Sequence, residues 1–147
     1  MKTSPEGVAV LAEREGVRLG AYCDSRGLLT IGVGHLSNAY FRVSPGMVIS
    51  RERALDLLAH DLGEVEETIN AVARTPLKQC QFDALASLGY NIGCGGLAHS
   101  TVVHFVNMRN DVAAANAFMG WDHPAVLKPR RRAEKMQFLG GPVKQVA

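Results

Sequence analysis

A chain of 147 residues, 47% hydrophobic and 20% charged, fits one globular domain able to bury a core without disulfide or metal staples, and excludes an intrinsically disordered chain. The net charge of +2 is too small to imply nucleic acid by itself, and the apolar stretch Val8–Ala12 is too short for a membrane span or a secretory hydrophobic region. Cys23, Cys80 and Cys94 cannot all pair within one chain and form no C-x-x-C site, so they read as thiols of a reducing compartment.

In chain order, Ser4 is the expected N-cap of a first helix with Pro5 at its first position, Val8, Leu11 and Ala12 on one face, and Gly16 as stop signal after Glu15. From Leu19 to about Ser50, glycines at 20, 27, 32, 34 and 46 punctuate short runs such as Leu28-Leu29-Thr30-Ile31, which predicts a small twisted β-lobe of hairpin strands. Ser50 then caps a long amphipathic helix. Its apolar face is Ala54, Leu57, Leu58, Leu62, Val65, Ile69 and Val72, with Pro76 beyond its end. Further helices are expected at about 78–92, 101–108, 111–119 and 130–138. The whole reads as an α+β protein of one domain over 1–147, the β-lobe at about 19–50 and the rest helical. A cleft between two such lobes is a natural ligand site.

The chemistry-bearing segment is Glu15-Gly-Val-Arg-Leu-Gly-Ala-Tyr-Cys-Asp24-Ser-Arg-Gly-Leu-Leu-Thr30-Ile-Gly-Val-Gly-His35. It sets one acid at a helix end, a second in the following turn and a hydroxyl in the next strand. Glycosidic cleavage needs two carboxyl groups, one protonated to assist the leaving oxygen and one ionised to activate water or attack. Carbonyl ends at the helix C-terminus and partial burial would favour a protonated Glu15, while a solvated turn would keep Asp24 ionised. Spacing alone also fits ordinary solvated acids and a threonine chosen for β-propensity.

The whole string resembles the catalytic segment of phage-type lysozymes, the glycoside hydrolase family of many endolysins. Glu15, Asp24 and Thr30 meet that family's Glu-x8-Asp-x5-Thr pattern, followed by Thr30-Ile31-Gly32-Val33-Gly34-His35. Gln81-Phe82-Asp83-Ala84-Leu85-Ala-Ser87-Leu88-Gly-Tyr90-Asn91-Ile-Gly93 is similar to the family's central helix. Ser100-Thr101-Val102 resembles the next helix start, and Trp121 with Arg130-Arg131-Arg132-Ala133-Glu134 the C-terminal pattern. The resemblance implies a lysozyme-like fold with its active-site cleft between the lobes. It implies a muramidase cleaving the β-1,4 bond between N-acetylmuramic acid and N-acetylglucosamine of peptidoglycan, for bacterial cell lysis. Glu15 would be the general acid, and Asp24 with Thr30 would position and activate water. Inversion is then expected, with carboxyl groups about 6.5–9.5 Å apart.

By the same resemblance Tyr90 and Asn91 line the sugar cleft, although Tyr90 equally suits a core aromatic with a satisfied hydroxyl. Leu36 and Thr101 are further substrate-contact candidates, and Arg130 is placed near the catalytic acid. His35 is expected to be structural, because no second His or Cys sits at ligand spacing, and neither metal nor cofactor is expected. Gly93-Cys94-Gly95-Gly96 reads as a hinge or helix break and Trp121 as core. Residues 128–135 carry five basic groups and one acid. That run suits a solvated helix start, a contact for anionic wall polymers or a nucleic-acid patch, and a solvated or structural role is expected for most of it. Asp122-His-Pro124 and Pro129 depart from the family's glycine-rich sequence there, and Cys23 directly precedes Asp24 as a passive residue or a redox reporter.

The expected protein is a soluble monomer that binds peptidoglycan, not nucleic acid, and inserts in no membrane. It is expected to be made in the host cytoplasm and to reach the wall through a separate membrane-permeabilising partner, a holin. A catalytically silent peptidoglycan-binding module, an enzyme on chitin or chitosan, and a nucleic-acid binder are the rival readings.

Overall fold

The computed structural model describes residues 1–143. The chain divides into two units, one of Val8–Asp61 and one of Met1–Gly7 with the residues from Leu62 onward. Among the described residues, no helix is long and apolar enough to cross a membrane.

The first unit holds most of α1 (Pro5–Glu15), the strands β1 (Arg18–Cys23), β2 (Leu29–Gly32) and β3 (His35–Leu36), and α2 (Arg51–Asp61). The strands form an antiparallel sheet in the order β1-β2-β3. Thr30 stands opposite Tyr22 on one side and Leu36 on the other, and Ile31 opposite His35. The return from β2 to β3 is tight because Gly32 (φ 68°) and Gly34 (φ 74°) take the left-handed backbone that side chains disfavour. Ile31, Val43 and Leu57 form the core beneath the sheet, with Ala21, Leu29, Phe41, Met47 and Ile49 packed around them. After β3 the chain is irregular and is pinned back on β1 by Ala21 N–H to Met47 O (2.8 Å) and Ile49 N–H to Leu19 O (2.9 Å). Ser50 caps α2 as expected, its hydroxyl accepting the Arg53 N–H at 3.1 Å.

The long helix expected from Ser50 to Val72 is two helices. α2 ends at Asp61 and α3 (Gly63–Val72) begins after Leu62. The apolar spacing stays in phase through the break, so periodicity does not register it, while Gly63 weakens the helix there. The second unit is built on α4 (Gln79–Ile92), whose Phe82, Ala84, Leu85, Ala86 and Leu88 are buried. Packed on it are α3, α5 (Cys94–Ala98) and α8 (Lys128–Phe138). α6 (Thr101–Asn107) and α7 (Asp111–Ala117) form a pair, capped by Ser100 and Asn110, and short 3-10 turns at Phe118–Trp121 and Ala125–Leu127 lead into α8. A Cβ on Gly89 would lie 2.7 Å from both Val65 and Leu97, so α4 approaches α3 and α5 as closely as glycine allows.

The glycine-rich Gly93–Gly96 segment does break α4, at Gly93 (φ 87°), but then starts the short helix α5 rather than a hinge. Trp121, expected in the core, is half-buried instead, at the end of a 3-10 turn.

Candidate active site

Asp24 follows β1 at the start of a turn that folds back on its own carboxylate. Its Oδ1 accepts the backbone N–H of Arg26 (2.8 Å) and of Leu28 (3.0 Å). Its Oδ2 accepts Nε (3.2 Å) and Nη2 (3.0 Å) of the Arg26 guanidinium. The Leu28 N–H is the largest influence, and with the Arg26 donors it outweighs partial burial and holds the Asp24 carboxyl below its ordinary value of 3.8. The site therefore presents a fixed carboxylate.

Thr30 lies on β2, 2% exposed, and its hydroxyl donates to Leu28 O at 2.9 Å. With that proton committed, the hydroxyl oxygen faces any further partner as an acceptor. Leu28 thus joins the two candidates through one residue: its N–H serves Asp24, and its carbonyl serves Thr30 and the Asp24 N–H (2.9 Å). Arg26 and Leu28 were not singled out from the sequence. The signal available was Asp24-Ser-Arg-Gly27, an aspartate opening a turn that closes on its own side chain.

Glu15 is the last residue of α1, which ends where the Gly16 N–H meets Ala12 O at 2.8 Å. The carboxyl group is at the helix end as expected. The partial burial expected of it is not found, because Glu15 is exposed.

Leu36, on β3 opposite Thr30, is half-buried. His35 beside it is 1% exposed, with Nδ1 2.7 Å from Asp61 Oδ2 and Nε2 3.2 Å from Phe41 O. It ties β3 to the end of α2 and to the following loop.

In the second unit, Tyr90 is half-buried and Asn91 exposed near the C-terminus of α4, and Thr101 is the exposed first residue of α6. Asn91 belongs to a charged network with α8. Arg131 is 0% exposed and donates through Nε to Trp121 O (2.8 Å), through Nη1 to Glu134 Oε2, and through Nη2 to Asn91 Oδ1. The other oxygen of the buried Glu134 accepts the Ser87 hydroxyl (2.7 Å) and Arg130 Nε (3.0 Å). Arg130 also donates to Ser87 O at 3.1 Å.

The basic run is therefore partly structural and partly solvated. Arg131 is interior and Arg130 half-buried, while Lys128 and Arg132 are exposed. Arg131, Glu134 and Ser87 were missed as site-building residues because charge in sequence reads as solvent-facing, whereas pairing across two helices lets it be buried. A pocket of about 290 Å³ elsewhere in this unit, lined among others by Thr75, Leu77, Lys78, Val106 and Arg109, contains none of the candidate residues.

Comparison with known proteins matches most of the chain to one family. The phage lysozyme family model matches residues 12–134. The endolysin of Salmonella phage P22 is 46% identical over 144 residues, covering 95% of this chain and 99% of that one. A crystal structure of a P22 lysozyme mutant superposes with a TM-score of 0.89 at 45% identity, covering 95% of this chain and 99% of the other. The muramidase domain of SpmX from Asticaccaulis excentricus follows at 0.81 and 34%, covering 94% and 97%. On the matched span and these identities, the chain belongs to the phage lysozyme family.

Proposed function

We propose that this lysozyme, a peptidoglycan-hydrolysing glycosidase, cleaves the β-1,4 bond between N-acetylmuramic acid and N-acetylglucosamine with inversion. Glu15 donates a proton to the departing glycosidic oxygen. Water attacks the anomeric carbon from the opposite face and gives its proton to Asp24, while Thr30 holds that water by accepting its second hydrogen. The observation that carries this division is the ring of donors on Asp24: a carboxylate fixed in its ionised form by Leu28 and Arg26 is suited to receive a proton.

The chain works as one catalytic domain and as a monomer, without a cofactor. It is made in the cytoplasm of a host cell and meets the wall after a holin has opened the membrane. The relatives named endolysin support that setting.

The test is loss of turbidity of outer-membrane-stripped bacterial walls with wild type and Glu15→Gln. The substitution keeps size and removes the transferable proton, so a folded variant should lose at least about 100-fold in rate. Equal clearing by both proteins would end the role given to Glu15. A wild type that binds walls without clearing them would favour a silent binding module.

A further inference from the structure

The pocket of about 290 Å³ in the second unit is built from the segment leading into α4 and from the turn that joins α6 to α7. Its two sides are tied together. The Thr75 hydroxyl donates to Val106 O at 3.1 Å, and Asn107 accepts the Arg74 N–H (2.7 Å) and donates to Val72 O (2.9 Å). Such a pocket is formed before any ligand arrives.

Both of its cations stand where local structure disfavours them. Lys78 is the N-cap of α4, a position that rewards a side-chain acceptor, yet its ammonium can only donate and sits against the positive end of the helix. Arg109 closes α6. Its N–H donates to Val106 O (2.9 Å), the Asn110 N–H donates to Phe105 O (3.0 Å), and its φ of 56° is the left-handed conformation that this closing motif usually fills with glycine. Neither cation has an ion pair among the described residues, and neither does Asp111, which also lines the pocket. Gln81 points to a ligand independently. It lines the pocket while only 5% exposed, its Oε1 accepts the Lys78 N–H at 2.9 Å, and its Nε2 has no partner among the described residues. A donor on a buried side chain is costly to leave unmet.

We propose that this pocket is a binding site for a small organic monocarboxylate, the free carboxyl end of a short peptide of small apolar residues. The carboxylate meets Arg109, Lys78 and the Gln81 amide, and the apolar body lies on Leu77 and Val106. With Asp111 opposing two cations, the lining carries one net positive charge, which matches a monoanion and works against a more highly charged inorganic ion.

The test titrates isotope-labelled protein with acetyl-alanyl-alanine and follows the amide signals of the lining residues by NMR. The free acid should bind with a Kd of about 1 mM, and the same peptide as its C-terminal amide at least about tenfold more weakly. Inorganic phosphate should bind more weakly than the acid. Lys78→Ser installs a preferred N-cap and Arg109→Gly a preferred closing residue, so both variants should melt above wild type while losing at least about tenfold in affinity. A merely structural role for either cation would not move stability and affinity in opposite directions. Arg132→Ala, outside the pocket, should bind as wild type does. Equal affinity for acid and amide, phosphate bound more tightly than the acid, full affinity in Arg109→Gly, or unmoved lining signals at about 20 mM acid would overturn the proposal. The readout is binding without turnover, so it stands or falls separately from the wall-clearing test.

Discussion

Glu134→Gln is the substitution whose cost can be worked most directly from the structure. Glu134 and Arg131 are both 0% exposed. Glutamine can still accept from Ser87 and Arg130 through its remaining oxygen, but its NH₂ group then faces Arg131 Nη1, donor against donor. The guanidinium is left buried and charged, with the neutral oxygens of Trp121 and Asn91 as its remaining partners. Stranding one member of a buried ion pair costs about 3–5 kcal/mol. Two neutral acceptors soften that, giving about 3–4 kcal/mol, or a fall in Tm of about 10 °C for a chain of this size. Urea denaturation followed by circular dichroism measures it from the midpoint at constant slope. Arg132→Ala, on the exposed face of the same helix, should change stability by no more than about 0.5 kcal/mol. A loss under about 1 kcal/mol for Glu134→Gln would refute the argument that a stranded interior charge dominates.

Two further outcomes follow from the first unit. The Asp24 carboxyl titrates below its ordinary 3.8, so the stability it contributes is complete above that value and is lost as pH falls through the lower folded value. The stability gap between wild type and Asp24→Asn should accordingly shrink between about pH 5 and pH 3, and a gap that stays constant in urea titrations at both would contradict the donor ring. Thr30→Val keeps shape at a buried strand position while deleting the hydroxyl. It should cost about 1 kcal/mol in stability and about 100-fold in kcat on walls. A folded Thr30→Val enzyme of wild-type kcat would remove Thr30 from the mechanism.

How much of this was legible in the sequence depended on whether the signal was local. Ser4 and Pro5 open α1 and Gly16 closes it, with the Ser4 hydroxyl accepting the Gly7 N–H at 3.0 Å, because caps act within one turn of chain. The β-lobe was legible for the same reason, its glycines marking the turns that the backbone requires. The break at Leu62–Gly63 and the short helix α5 were not, since a periodicity that stays in phase hides the first and glycine-rich composition disguises the second. Arg131 was the largest miss in the candidate site. Its burial is decided by Glu134 three residues on and by Asn91, forty residues earlier on another helix, and only the first partner lies within reach of a sequence pattern.

The spacing that made the first unit recognisable has a physical origin in Leu28. Between Asp24 and Thr30 lie Ser25–Gly27, which make the turn, then Leu28 and Leu29, which bring the chain back beside β1. Leu28 must fall where its N–H reaches the Asp24 carboxylate while its carbonyl receives both the Asp24 N–H and the Thr30 hydroxyl. One residue more or fewer in the turn would reverse the face on which Thr30 lies or lift Leu28 from Asp24. The five intervening residues are thus the length of a hairpin that fixes carboxylate and hydroxyl to the same backbone. A single leucine's peptide groups orient the two groups proposed to handle water. Neither is left to choose its own rotamer, which is what preorganisation requires before a substrate arrives.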